Sequence, residues 1–526
     1  MVGGRVCIVG AGVSGLTAIK ACLEEGLLPI CYERYDDIGG LWNYSPDVKE
    51  GQGASVYEDL VTNISKEMMS FSDFPMPTEF TPYITHAQFM DYLRDYIKAF
   101  NLLQHVHFQS DVLRVEQADD YDRTGGWKVT VKEKGHIHIE IFDYVMLASG
   151  YFRDPNIPKI PGMETFTGKA FHSHAFRSTS ELRNKRVVVL GNSISAGDIA
   201  ALSSSVAEKV YLSVGSGAWI LPKTSPLPFD FLLRRAVVCL PRCLSGIVVT
   251  KQANAYINHY YIGICPEKPV LNSYQIMIND DLKSKLFCGA VVVKDRVTRV
   301  EGSTVYCCDD TEVKDVDVII FATGFKQIFP YMQEGILPGP YEDMSLYRVV
   351  WPAELLHPTL AVIGYVSIAG AGPPTVELQC RWAAGVFAGR LHLPPRDVMR
   401  AEANARKEAT YKRYGTYKLK LDTLYQDEIA REAGCRPNIL RTLLTDPRVG
   451  LRLLFGPIFP VQWRLQGAHS WSKARDYFIT AEERTLLSMQ TRKPPKMSKS
   501  NWLSTMIMII PLVAFIMYLV QRKFYY

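Results

Sequence analysis

Gly10, Gly12 and Gly15 in the stretch Gly10-Ala11-Gly12-Val13-Ser14-Gly15 are the residues of this chain whose spacing most directly implies chemistry. They form G-x-G-x-x-G directly after the apolar run Arg5-Val6-Cys7-Ile8-Val9 and before a helix-like segment. In that setting the first glycine permits a tight turn and the second lets backbone approach a pyrophosphate. The third lets the helix pack closely on the strand, with the helix N-terminus facing the phosphates. Glu33, at the end of the next apolar run, is spaced to accept hydrogen bonds from ribose hydroxyls. The pattern predicts a dinucleotide site rather than a glycine-rich turn that packs without a ligand.

The elements around these residues are written as strand, turn and helix. Ile30–Glu33 reads as a second strand, and Asp36-Asp37-Ile38-Gly39-Gly40-Leu41-Trp42 as a loop returning to the ligand, its adjacent glycines permitting close backbone approach. Alternation between Trp127 and Glu140, with Gly135 at a turn, predicts an antiparallel meander inserted before the last parallel strand, Tyr144–Ala148. The plan then repeats. Arg186-Val187-Val188-Val189-Leu190 leads into Gly191-Asn192-Ser193-Ile194-Ser195-Ala196-Gly197-Asp198, and Phe321-Ala322-Thr323-Gly324-Phe325 echoes Leu147-Ala148-Ser149-Gly150-Tyr151. Ser193 and Ala196 stand where glycines are expected, small enough to keep the turn and the packing at some loss of backbone approach. Two dinucleotide units in one chain imply electron transfer from a nicotinamide to a nucleotide held permanently, most simply FAD in the first site.

Composition narrows the remaining chemistry. The chain has 526 residues, 47% of them hydrophobic, and a formal charge of +5 without a dense basic run in its body, which disfavours nucleic acid as a partner. Its eleven cysteines lack metal-type spacing, and none forms the C-x-x-C of a dithiol reductase, so they read as reduced thiols. No clustered His/Cys set, HExxH or nucleophile-elbow serine is present, so no metal site or hydrolytic triad is expected. With the first strand starting at Arg5, a secretory leader is not expected.

The run Trp502–Val520 is uncharged and apolar, interrupted only by Ser504, Thr505 and Pro511. As a helix it would reach about 28 Å, enough to span a bilayer. Arg492, Lys493, Lys496 and Lys499 before it outnumber Arg522 and Lys523 after it, which predicts a tail anchor with the body on the cytosolic side. The expected fold class is α/β, with two Rossmann-like domains, an inserted helical segment and a C-terminal transmembrane helix. The expected division is 1–155 and 326–445 as two parts of an FAD domain, 156–325 as a nicotinamide-nucleotide domain with an insertion at about 222–274, a membrane-proximal segment 446–500 and an anchor 501–521. The insertion is expected to pack on the body, with contact to the membrane surface as the alternative.

Phe166-Thr167-Gly168-Lys169-Ala170-Phe171-His172-Ser173-His174-Ala175-Phe176, lying between the two glycine motifs, fits the F-x-G-x-x-x-H-x-x-x-(F/Y) signature of flavin-containing monooxygenases. The chain resembles the membrane-bound animal branch of that family over nearly its whole length. Thr62-Asn63 with Ser65-Lys66-Glu67-Met68-Met69, Glu377-Leu378-Gln379 with Arg381-Trp382, and Phe455-Gly456-Pro457 carry the likeness further. The resemblance implies NADPH reduction of FAD, a C4a-hydroperoxyflavin, and transfer of one oxygen atom from O2 to a soft nitrogen or sulfur of a small substrate, on the endoplasmic reticulum membrane and in a chain compatible with a homo-oligomer. Baeyer-Villiger oxidation of ketones and peroxide-releasing NADPH oxidation are the alternatives.

The same resemblance assigns FAD to Gly10, Ala11, Gly12, Val13, Ser14, Gly15, Glu33, Gly40, Leu41, Trp42 and Asn63, and NADP to Thr62, Asn63, Gly191, Ser193, Ser195, Ala196, Gly197 and Asp198. It makes Asn63 the catalytic amide beside flavin and nicotinamide, a group that donates and accepts without titrating. His172 is read either as part of the signature's function or as a linker orienting the two domains. Two departures stand out. Gly215 occupies a place where the animal enzymes usually carry an arginine for the ribose 2′-phosphate, with Lys223 as a point-charge substitute, and Ile194 replaces a frequent Asn.

Overall fold

Arg5–Val9 and Leu28–Tyr32 are short β-prone runs, the first of them buried from Val6 to Val9, as strands covered on both faces are. The computed structural model describes residues 3–48, 53–224, 228–239, 242–339, 343–417, 420–421 and 423–492. In it these strands belong to a five-stranded parallel sheet ordered Leu360–Val362, Tyr144–Leu147, Arg5–Val9, Leu28–Tyr32, Val106–His107. Tyr144–Ala148 is therefore not the last parallel strand. Leu360–Val362 returns from far along the chain to pair outside it, because the exposed edge of Tyr144–Leu147 needs hydrogen-bonding partners.

The meander comprises Ser110–Gln117, Trp127–Glu133 and His136–Phe142, antiparallel throughout. Val13–Glu24 lies on the first sheet and packs against Gly372–Phe387. His86–Phe100 closes another side of the same core, its start fixed by a capping box between Thr85 and Gln88.

The second sheet repeats the plan with strands Val291–Lys294, Lys209–Ser213, Arg186–Leu190, Val318–Phe321 and Lys169–His172, again all parallel. The signature stretch thus supplies an edge strand. Where the chain leaves the first unit and returns, Asp154–Pro155 pairs antiparallel with Phe325–Lys326, so the two passages between units brace each other.

The insertion is mainly helical, with Arg235–Val238 and Arg242–Tyr256, and it packs on the body. Arg235 makes a buried two-pronged ion pair to Asp427 at 2.8 and 2.7 Å. Among the described residues no helix is long and apolar enough to cross a membrane. The run Trp502–Val520, with the expected anchor 501–521, lies outside the described residues.

Candidate functional site

A cavity of about 900 Å³ opens at the C-terminal ends of the first sheet's strands, where ligands of open α/β sheets bind. Gly10, Gly12, Val13 and Ser14 form one wall. Gly10 has φ +100°, a region that favours glycine, and a β-carbon on Gly15 would overlap the carbonyl oxygen of Gly10. Gly12 caps Val13–Glu24 without any side-chain hydrogen bond, and no acidic residue lies in the first turn, so this helix end presents its N–H groups and positive dipole to the cavity.

The Gly39-Gly40 loop does return to this wall. Gly39 N–H donates to the Ala11 carbonyl at 3.0 Å, and Gly40, Leu41 and Trp42 line the cavity. Glu33 lines it too, with its carboxylate accepting from Ala11 N–H at 2.7 Å and Tyr35 N–H at 2.9 Å. Two oxygens offer about four acceptor positions, so the group retains capacity for a ribose. Burial raises its pKa, against these two hydrogen bonds. Ala11 and Gly15 do not line the cavity; they fix the turn that does.

Thr62 and Asn63 enter from a segment that side chains hold rigidly. Thr62 N–H donates to Ile84 carbonyl at 2.9 Å, and the Thr62 hydroxyl accepts from Ile84 N–H at 3.1 Å. Past Asn63, the Ser65 N–H and hydroxyl both donate to buried Asp230 at 2.8 and 2.7 Å. The buried Lys66 ammonium donates to the Pro77 and Thr78 carbonyls, and Glu67 accepts from Arg484 at 3.0 Å. These residues position the loop, and Asn63 lines the cavity.

Among the described residues of the second unit, Ile194 and Asp198 reach the cavity. Asp198 accepts from Tyr57 hydroxyl at 2.9 Å and Asn279 amide at 2.7 Å, and its burial raises its pKa. Its carboxylate ties the second unit's first helix, Ile194–Ser203, to the first unit. That helix starts at Ser193, again with no side-chain cap, and Ser193, Ile194 and Ser195 are exposed. Gly191, Ser193, Ser195, Ala196 and Gly197 do not line the cavity, and Ala196 and Gly197 are buried, the latter against Met277. His172 is buried, accepts at Nδ1 from His174 N–H at 3.1 Å, and packs edge-on against Phe325; burial lowers its pKa to about 4. It sits where the two passages between units meet. Lys223 extends to the Val61 carbonyl at 3.4 Å.

The sequence reading missed Gly364, Tyr331 and the start of Gly372–Phe387, all on the cavity wall. A β-carbon on Gly364, at φ +77°, would collide with the Ser14 hydroxyl. Gly370-Ala371-Gly372-Pro373-Pro374 is a turn-then-helix signal that could have pointed to this second helix start.

Behind the first wall lies a buried ionic cluster. Arg464, 1% exposed, donates to Glu24 at 3.0 Å, Glu377 at 3.2 Å and Ser72 hydroxyl at 2.8 Å, and pairs with Asp73 at 2.9 Å. Lys20 joins Glu24 and Asp73 at 2.7 Å each. Among the described residues, no group of three or more His, Cys, Asp or Glu is placed to hold a metal ion, and no disulfide is formed.

A family model described as "Flavin-binding monooxygenase-like" matches residues 3–521. The chain is 39% identical to Flavin-containing monooxygenase 5 of Mus musculus over 530 residues, covering 97% of this chain and 98% of the relative. It is 36% identical to Dimethylaniline monooxygenase [N-oxide-forming] 2 of Cavia porcellus over 527 residues, covering 97% and 98%. The structure of an S-allyl-L-cysteine S-oxygenase from Allium sativum shares the fold with a TM-score of 0.63 at 23% identity, covering 92% of this chain and 99% of that one.

Proposed function

The chain belongs to the flavin-binding monooxygenase-like family, and from that premise we propose that its first unit holds FAD, its second binds NADPH, and one oxygen atom of O2 passes to a soft nitrogen or sulfur of a small molecule in the cavity. The observation that carries this reading is a single cavity whose walls include the first glycine loop, Asn63 and Asp198 of the second unit's helix. Relatives named for N-oxide formation and S-oxygenation support nitrogen and sulfur as the acceptors. The flavin supplies two-electron chemistry with a nicotinamide and activation of O2; the protein holds, orients and excludes water.

In this reading Gly10, Gly12, Val13 and Ser14 approach the pyrophosphate, with Ala11 and Gly15 shaping the turn. Glu33 accepts from ribose, and Gly40, Leu41 and Trp42 close over the flavin nucleotide. Gly191, Ser193 and Ser195 at the open second helix start receive the nicotinamide nucleotide, and Ala196, Gly197 and Asp198 keep that helix in place. Thr62 positions Asn63, whose amide serves both ligands by donating and accepting hydrogen bonds. The FAD domain is 1–155 with 326–445, a division supported by Leu360–Val362 pairing into the first sheet, and the NADP domain is 156–325. The uncharged run Trp502–Val520 and its basic flanks support a tail anchor in the endoplasmic reticulum membrane, with the catalytic body cytosolic.

The test is product analysis of purified full-length protein given NADPH and O2 with a thioether, a tertiary amine and a ketone. FAD-loaded protein that forms sulfoxide and N-oxide in step with NADPH consumption is expected. Protein that does not take up FAD, or that releases stoichiometric peroxide with no oxygenated product, overturns the reading. Asn63→Ala should retain FAD and lower product per NADPH while peroxide rises; an unchanged yield removes Asn63 from the chemistry.

A further inference from the structure

The two units keep the same register to the end of their second strands and then part. Val9 pairs with Tyr32, so Glu33 is the first residue beyond; Leu190 pairs with Ser213, so Val214 holds the corresponding place in the second unit. Val214 is a buried apolar residue that cannot accept from a ribose 2′-hydroxyl. The next residue, Gly215, has φ +53° and no side chain.

What stands beside Gly215 is Arg296. A β-carbon built on Gly215 would lie 3.6 Å from the Arg296 Cβ, so the arginine stem starts beside where a side chain at 215 would start. Its backbone is fixed to the same strand end. Ser213 pairs with Lys294, Val214 N–H donates to the Lys294 carbonyl at 3.1 Å, and Ser213 hydroxyl donates to the Asp295 carbonyl at 2.9 Å. Arg296 N–H donates to its neighbour's carboxylate, Asp295 Oδ1, at 2.6 Å, and the Arg296 carbonyl accepts from Cys308 N–H at 2.9 Å. The residue is exposed, and its guanidinium has no hydrogen-bond or ion-pair partner among the described residues. The nearby Lys294 ammonium, by contrast, donates to Thr311 hydroxyl at 3.1 Å.

We propose that Arg296 is the residue that grips the adenosine 2′-phosphate of NADPH, supplied from the adjacent strand in place of a side chain at 215. A second unit without a carboxylate for the 2′-hydroxyl and with an uncommitted guanidinium at that corner suits a phosphate. The planar fork binds it bidentately, which a point-charge lysine does not. The inference rests on the reading of the second unit as the nicotinamide-nucleotide site.

The test is equilibrium titration of FAD-loaded full-length protein with NADP+ and with NAD+, for the wild type, Arg296→Ala, Arg296→Lys and Lys294→Ala. Arg296→Ala should weaken NADP+ by about tenfold to a hundredfold and leave NAD+ within about twofold, with Arg296→Lys recovering part of the loss. Unchanged NADP+ affinity in Arg296→Ala, equal weakening of both nucleotides, or loss of the whole preference in Lys294→Ala overturns the assignment while leaving the second unit a nucleotide site. Wild-type protein that binds neither nucleotide removes the parent reading and this one with it.

Discussion

The two nucleotide units share the order and register of four parallel strands and an uncapped helix start after a first glycine, yet differ at most other points where a ligand would be gripped. The first has all three glycines, a carboxylate at the end of its second strand, and a second glycine loop returning over it. The second has Ser193 and Ala196 in place of glycines, Val214 in place of the acid, and an exposed helix start. The first is also pinned from behind by the Arg464 cluster, and no such cluster backs the second among the described residues. A common arrangement of four strands therefore carries two differently built sites: a cradle braced from behind, and a more open one.

The sharpest way to break this contrast is to exchange glycine and alanine at the matching place in the two turns. Gly15→Ala puts a methyl onto the Gly10 carbonyl, forcing strand and helix apart, and should leave no flavin-loaded protein, read as absent FAD absorbance and early thermal unfolding. Ala196 already carries that methyl at the matching place, so Ala196→Gly should cost only about 1 kcal/mol in thermal unfolding and leave FAD content unchanged. Equal effects would erase the contrast between the two turns.

Next in size is the brace. Arg464→Met leaves Glu24, Asp73 and Glu377 with fewer cations in a buried place and should cost about 3–5 kcal/mol in denaturant unfolding. A loss below about 1 kcal/mol would put the cluster with ordinary surface pairs.

The same cluster sets an acid limit. Burial alone raises the Glu24 carboxyl, but Arg464 and Lys20 beside it bring it down to about 2. A depressed folded value means the unfolded chain takes up the proton first. Glu24's contribution is therefore present in full above about pH 4.5 and fades as pH falls toward 2, amounting to about 3 kcal/mol. Stability measured from pH 6 to 2.5 should decline over that window, and Glu24→Gln should flatten the decline while lowering the neutral-pH plateau. An unaltered slope in that variant would assign the acid sensitivity elsewhere.

A comparably small effect is expected at Thr62→Val, which leaves Ile84 N–H without its side-chain acceptor and should cost about 1–2 kcal/mol with FAD retained.

Much of this was legible in the sequence because its signals are local. Gly10 to Gly15, Glu33 and the returning Gly39-Gly40 loop each follow a short apolar strand, and the repeat at Arg186 uses the same grammar. The meander showed in its alternation. What stayed hidden depends on distant pairing. Leu360–Val362 is three residues long, too brief to show a period, and takes its meaning from the edge it joins. Val291–Lys294 went unread as a strand of the second unit, and with it the adjacency of Arg296 to Gly215, which exists only once strands meet. Lys169–His172 was read as a signature without its place at the sheet edge, since a motif names residues but not neighbours. The partners of Asp198 and Arg464 likewise come from remote segments that no spacing rule connects.

Arg464 and Glu24, in contact at 3.0 Å, are 440 positions apart in the polypeptide. During synthesis the amino-terminal segment emerges long before its counter-ion exists, with Glu24 and Asp73 balanced only by Lys20. The brace of the amino-terminal lobe is therefore completed only when the carboxy-terminal region has been made, so a chain cut short before Arg464 lacks it.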